Sequence, residues 1–332
     1  MNSFQPRRLH CFIPSCPLKR NFNSVNVFFT ELFNPSHYHM LAVTEGLKLF
    51  QSLTGLTWTS SIVLSTLLLR TAVAFPLYTY TEKNQALVSR SFLSTIAIHA
   101  KQPGDISRSV LHQSFRVDFM KRCQAEGCHP LKSAAFGLIQ LPLWITVTSG
   151  LRNACGLWVS PVIYWPPMIP EFLANGLTSP THSLALVALL TTANLANSEL
   201  AHLRRLYMIS ATEFATKDPQ FLSQRDSPTE SVPIVLCPVK QSWQLRFVHS
   251  LGIFGGLLVS AVSLMAPSAL TVFWCTSSVH QLLINLAHLL PRVRNTLRVP
   301  TSYVDPKRPY ITLWLVALQN YRILTSLRPK KL

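Results

Sequence analysis

Arg70 is the thirteenth of 23 residues in the apolar run from Trp58 to Tyr80, and no other residue of that run is charged. A helix of this length rises about 34 Å, enough to cross a bilayer. The guanidinium then falls near the midplane, where a cation costs roughly 3 kcal/mol on insertion scales. A structural arginine at that depth wants a carboxylate. None lies in the central part of any other apolar run, since Glu199 sits near an end. The chemistry open to such a group is electrostatic and non-covalent: a fixed cation in a partly hydrated groove can hold an acidic or polar segment in transit.

Polar side chains in the other apolar runs recur at helical spacing. Trp274, Ser278, Gln281, Asn285 and His288 succeed one another at steps of four, three, four and three, which keeps them on one helix face. Gln140, Trp144 and Thr148 share a face in a second run, and Thr191, Asn194 and Ser198 in a third. A face of this kind meets protein or water, not lipid. For any single Ser, Thr or Asn, an interhelical hydrogen bond explains its presence equally well. Arg70, Gln140, Thr148, Asn194, Ser278, Gln281 and Asn285 are the candidate groove residues. No catalytic set stands beside them. The chain has no GxxxxGK[ST], HExxH or GxSxG motif. "CQAEGCH" (123–129) lacks the second pair a zinc site needs. The lone histidines His182, His249, His280 and His288 fit interfacial or packing positions. No enzyme activity, metal, cofactor or small-molecule substrate is expected.

Five elements must position these groups. Of the 332 residues 48% are hydrophobic and 13% charged, about half the charge of a soluble domain, so the composition is that of a membrane protein. The apolar segments are 58–80, 134–151, 183–201, 247–266 and 269–290, each near the length of a span. Only Pro267 and Ser268 separate the last two, which predicts a tight helical hairpin. Gly252, Gly255 and Gly256 in the fourth suit close helix packing. The expected fold is all-α, a polytopic five-helix bundle over 45–291 with a polar groove open on one side.

Loop charge orients the bundle. Residues 82–132 carry eight Lys or Arg, 202–246 six and 291–332 nine, while 152–182 carry only Arg152. The three basic segments share a side, so the C-terminus lies inside and the N-terminus outside. The stretch 158–170, with two Trp and four Pro, reads as an interfacial aromatic anchor on the charge-poor face. Residues 1–30 contain Arg7, Arg8, Lys19 and Arg20 and no acid, the pattern of a mitochondrial presequence. "Inside" is then the matrix, and the expected location is the inner membrane. The seven cysteines are scattered and predict no disulfide framework.

Four stretches carry a family resemblance: "LLLRTAVAFPLYTY" (67–80), "HPLKSAAFGLIQLPLWITVTSGLRN" (129–153), "GLTSPTHSLAL" (176–186) and "APSALTVFWCTSSVHQLLINLAHLLPRVRNTLRVP" (266–300). Together they resemble the YidC, Alb and Oxa family of membrane-protein insertases, with Arg70 matching the family's groove arginine. The approach "KRCQAEGCHPLK" and the short tail favour the mitochondrial branch devoted to cytochrome c oxidase assembly. That resemblance implies membrane-protein substrates, the C-terminal part of oxidase subunit 2 among them, together with oxidase assembly factors and the lipid bilayer as partners. Two departures stand out. The helical hairpin the family places between its first two spans is here short and broken by Pro103-Gly104. The Pro/Ser-rich stretch 216–243 looks inserted and disordered. The basic tail 292–332 is expected to be solvated, with Pro300, Pro306, Pro309 and Pro329 interrupting any long helix and only a weak ribosome contact by charge. Alternative functions are a general co-translational insertase, a small-anion secondary transporter, disfavoured by the lack of an internal repeat, and a structural assembly factor or ribosome receptor.

Overall fold

The computed structural model describes residues 37–99, 108–156, 168–181, 183–217, 242–300, 306 and 308–321, without the side chains of 108–109, 134–137 and 214–217. The expected presequence (1–30), most of the aromatic stretch 158–170, nearly all of the 216–243 stretch and the last eleven residues lie outside them. The described residues form helices and no strand, the architecture of an all-α membrane protein. They are α1 (Tyr38–Thr54), α2 (Trp58–His99), α3 (Arg108–Ala125), α4 (Pro130–Ala154), the single turn α5 (Glu171–Ala174), α6 (Leu184–Lys217), α7 (Trp243–Ser263), α8 (Ser268–Ala287), the short α9 (Pro291–Thr296) and α10 (Pro309–Asn320).

Four helices, α2, α4, α6 through Glu213, and α7, are long and apolar enough to cross a membrane. The fifth expected span is α8. Its 20 residues give it the length, but its polar stripe leaves it less apolar than the other four. It packs between α6, α2 and α4, among protein neighbours that can answer the stripe. By contrast α7 turns Phe247, Leu251, Phe254, Leu258 and Val262 outward, a lipid-facing row at steps of four and three.

Local sequence explains the ends. Thr57 begins α2 by accepting the Ser60 N–H, and Ser242 begins α7 by accepting that of Leu245. His129 accepts the Leu131 N–H with Pro130 in the first turn of α4, where no N–H is missed. Gly55 closes α1 at φ +64°, a conformation that favours glycine. The connection between α7 and α8 is short, but it is the four residues 264–267 and not the expected pair, because α7 ends at Ser263 and Ser268 already opens α8. The first free N–H groups of α8, on Ser268 and Ala269, donate to the carbonyls of Ser179 and Leu177.

Inside α2, residues Arg70–Ala74 form a π-helical turn, with the Phe75 N–H reaching the Arg70 carbonyl. Pro76 accounts for its place. Its missing N–H and its ring are incompatible with the carbonyl four residues earlier, and a wider turn relieves both. Beyond Tyr80 the helix continues without a break to His99 and becomes the first arm of a hairpin with α3. The expected hairpin is therefore present on both sides of 100–107. Phe92 meets Phe115 and Phe119 edge-on at 5.5 and 5.7 Å, and His99 Nε2 lies 3.2 Å from Asp118. Buried Asn84 ties the hairpin base to α4. Its amide donates to the His129 carbonyl and Ser133 Oγ, and its oxygen accepts the His129 N–H.

The buried apolar side chains form two clusters. One, at the charge-poor end, gathers Trp58, Ile62, Leu151, Phe172 and Phe273. The other, at the basic end, gathers Leu93, Leu203, Leu206, Tyr207, Leu289, Leu313 and Val316. The polar residues of the spans form a layer between them.

Candidate groove site

Arg70 enters this layer at the start of the π-turn. Its Nη1 donates to Gln281 Oε1 at 2.9 Å, and its guanidinium carbon lies 4.0 Å from the centroid of the Trp144 ring. Its Nε is buried and finds no partner among the described residues. No carboxylate pairs with it there. A hydrogen bond to a charged group contributes about 1.5–3 kcal/mol, and a desolvated cation–π contact about 2. Their sum is of the same order as the insertion cost, so the cation can stay without an acid.

From Gln281 a chain of hydrogen bonds crosses the bundle. Gln281 Nε2 donates to Asn285 Oδ1 at 3.0 Å, and Asn285 Nδ2 to Asn197 Oδ1 at 2.8 Å. Asn197 Nδ2 donates to the Ser278 carbonyl at 3.0 Å, and Ser278 Oγ to Asn194 Oδ1 at 2.8 Å. From Gln281 through Asn197 each amide turns its oxygen back along the chain toward Arg70 and its N–H₂ onward. The dipoles therefore align head to tail and spread the positive charge away from the guanidinium.

A cavity of about 750 Å³ opens beside this chain, walled by Arg70, Trp144, Thr148, Asn194, Ser198 and Ser278. The glycine face of α7 forms its far side. A Cβ on Gly252 would collide with Ser198 Oγ, and one on Gly256 would come within 3.2 Å of Asn194 Cβ. A second cavity, of about 580 Å³, lies toward the basic end and is lined by Gln281, Asn285, Tyr78, Glu82 and Arg204. Of the seven candidate residues, Arg70, Thr148, Asn194 and Ser278 face the first cavity and Gln281 and Asn285 the second. Gln140 is half-buried on α4 and lines neither.

Two features escape the sequence pattern. Asn197 is the central link of the chain, and its signal is a three-residue step from Asn194. The other is a buried ion pair beneath the layer. Arg204 Nη2 donates to Glu82 Oε2 at 2.7 Å and Nη1 to the Tyr78 hydroxyl at 3.1 Å. His288, fully buried, stacks edge-on against Tyr78 at 4.7 Å. Its Nδ1 donates to the Ile284 carbonyl and its Nε2 meets the Thr79 hydroxyl. His249 meets Glu199 at 3.0 Å, so that acid is already engaged.

Among curated proteins the chain is 27% identical over 278 residues to the mouse "Cytochrome c oxidase assembly protein COX18, mitochondrial", covering 78% of this chain and 74% of that one. The human and Pongo abelii proteins of the same description match at 27% over 278 residues, the human one across 72% of its length. These matches support the YidC/Alb/Oxa family, on its oxidase-assembly branch. No family model matches the chain. In this chain Arg70 sits on a π-turn and is held by an amide and an indole.

Proposed function

We propose that the chain is a non-enzymatic insertase of the mitochondrial inner membrane that inserts membrane proteins. Its foremost client is cytochrome c oxidase subunit 2, whose C-terminal part it exports from matrix to intermembrane space. Its homology to mitochondrial oxidase assembly proteins supports the setting. The N-terminus lies in the intermembrane space and the basic loops and tail in the matrix, in accord with the loop charges. In this reading five helices, α8 included, enclose a groove open to the matrix. The observation that carries it is Arg70, a cation at mid-bundle with an amide and a ring for company, on the wall of a cavity large enough for a polar segment.

The mechanism needs no covalent step. An acidic or polar stretch of the client enters the cavity from the matrix side and meets the outward end of the guanidinium. The amide chain exchanges hydrogen bonds with it, which lowers the cost of removing polar groups from water. The apolar helix of the client passes meanwhile into lipid along the α7 face. Photo-crosslinkers at Thr148 and Ser278, in mitochondria translating subunit 2, test this. Capture of the nascent subunit is expected, and an Arg70→Ala variant that exports it normally would refute the role of the charge.

A further inference from the structure

The tail after α9 was expected to be solvated. Its helix α10 instead docks on α6: Pro309, Leu313 and Val316 are buried, the last two within the basic-end cluster. Pro309 does not break this helix but starts it, in the first turn where no N–H is needed. The opposite arc presents Tyr310, Ile311, Trp314 and Leu315, with Tyr321 just beyond, between 43% and 65% exposed. No residue from 309 to 321 is charged. An exposed apolar arc of this size, with one Trp and two Tyr on a segment otherwise facing water, calls for a cover.

Two hydrogen bonds fix how α10 lies. Near its start Tyr310 donates to the Leu286 carbonyl at 2.9 Å, and just past its end Tyr321 donates to Glu199 Oε1 at 2.6 Å. Asn197 of α6 bonds both Ser278 and Asn285 of α8, so position 197 is level with about position 281. Glu199 and Leu286 then differ in depth by about 5 Å, while Tyr310 and Tyr321 lie about 16 Å apart along α10. The helix therefore runs close to parallel with the membrane plane. In the α8 register Glu199 stands about 5 Å and Leu286 about 10 Å beyond the centre of the span, and a tyrosine side chain adds several ångströms, which brings α10 toward the edge of the hydrocarbon. Aromatic side chains favour that depth. Exposed Arg292, Arg298 and Arg308 flank the helix on the approach.

We propose that α10 is an in-plane interfacial helix whose exposed arc is covered by the leaflet on the basic side of the bundle. Its flanking arginines hold the anionic headgroups of that leaflet. The cover is lipid, as the depth, the orientation and the basic flanks together require.

The full chain is reconstituted in phosphatidylcholine vesicles with or without cardiolipin, carrying a photoreactive side chain at Trp314 or, at the polar edge, at Thr312. Lipid adducts should form at position 314 several-fold more than at 312 and increase when cardiolipin is present. Arg308→Glu should remove much of that increase without changing the yield in neutral vesicles. The proposal is overturned if position 314 captures a second copy of the chain or a client instead of lipid, if it captures no lipid, or if cardiolipin makes no difference. Position 314 is exposed, so the probe leaves the packing of α10 intact. The readout needs no insertase activity, and so stands or falls apart from the proposed function.

Discussion

The Arg70 guanidinium of α2 lies 4.0 Å from the ring centroid of Trp144 on α4, and this contact joins two helices through a charge and a π face where a carboxylate would be the usual partner. Trp144→Leu should therefore lower the stability of the purified protein by about 2 kcal/mol, with Trp144→Phe between the two because the indole is the stronger π donor. Thermal unfolding in detergent would check the order.

If the missing counter-charge of Arg70 is the client, supplying one internally should block the site. Gln281→Glu places a carboxylate at the 2.9 Å position now held by the amide oxygen. The variant is expected to unfold at the same or a higher temperature than the parent and to export subunit 2 poorly. A variant that is both stable and fully active would show that the free side of the guanidinium is not used.

The Arg204–Glu82 pair should behave as buried pairs do when one partner is removed. Glu82 is 7% exposed, so Glu82→Gln leaves a buried guanidinium with only a phenol and an amide and should cost about 3 kcal/mol. Glu82→Leu combined with Arg204→Met should recover most of that loss, as double-mutant unfolding would reveal.

Two glycines give opposite expectations. A Cβ at Gly150 would stand 2.6 Å from Val43 Cβ, an atom fixed to the α1 backbone, so Gly150→Ala must displace α1 at a cost of about 1–3 kcal/mol. At Gly252 the obstacle is Ser198 Oγ, which can rotate, so Gly252→Ala should be much milder. Val43→Ala in the Gly150→Ala background should restore part of the melting temperature.

Cys123, at the base of the hairpin, is wholly buried, and burial together with its neighbour Cys128 pushes its thiol up to about 11. The reactive form is the thiolate. Maleimide labelling of the folded protein at this position should be slow at pH 8, rise with pH toward 11, and become fast at pH 8 only after denaturation. Mass spectrometry of labelled peptides gives the rates.

Part of this site was legible because helix periodicity projects directly onto a face. Ser278, Gln281 and Asn285 share a stripe in sequence and share a network in space. Asn194 and Thr148 reach the cavity by the same rule. Gln140 obeys the rule too but misses both cavities, since periodicity gives a face and not the height at which a neighbour stands. Asn197 lies a three-residue step from Asn194, so spacing alone makes it as eligible as Ser198 and cannot choose between them. The Arg204–Glu82 pair requires the register between α2 and α6, which no single segment contains. Pro309 reads as a breaker because a proline marks either an interruption or a first turn, and only the residues C-terminal to it decide. Helix α10, uncharged and too short to span, gives no signal of either class.

The π-turn at Arg70–Ala74 sets the relative phase of the two charged sites on α2. Arg70 must face Gln281 while Glu82, twelve residues on, must face Arg204. A wider turn between them lags an ordinary α-helix, and deleting one residue from 71–74 would swing everything beyond it by about 100° relative to Arg70. The helix could then honour one appointment or the other. The spare residue acts as a vernier between client-facing charge and structural charge, and Pro76 keeps it set.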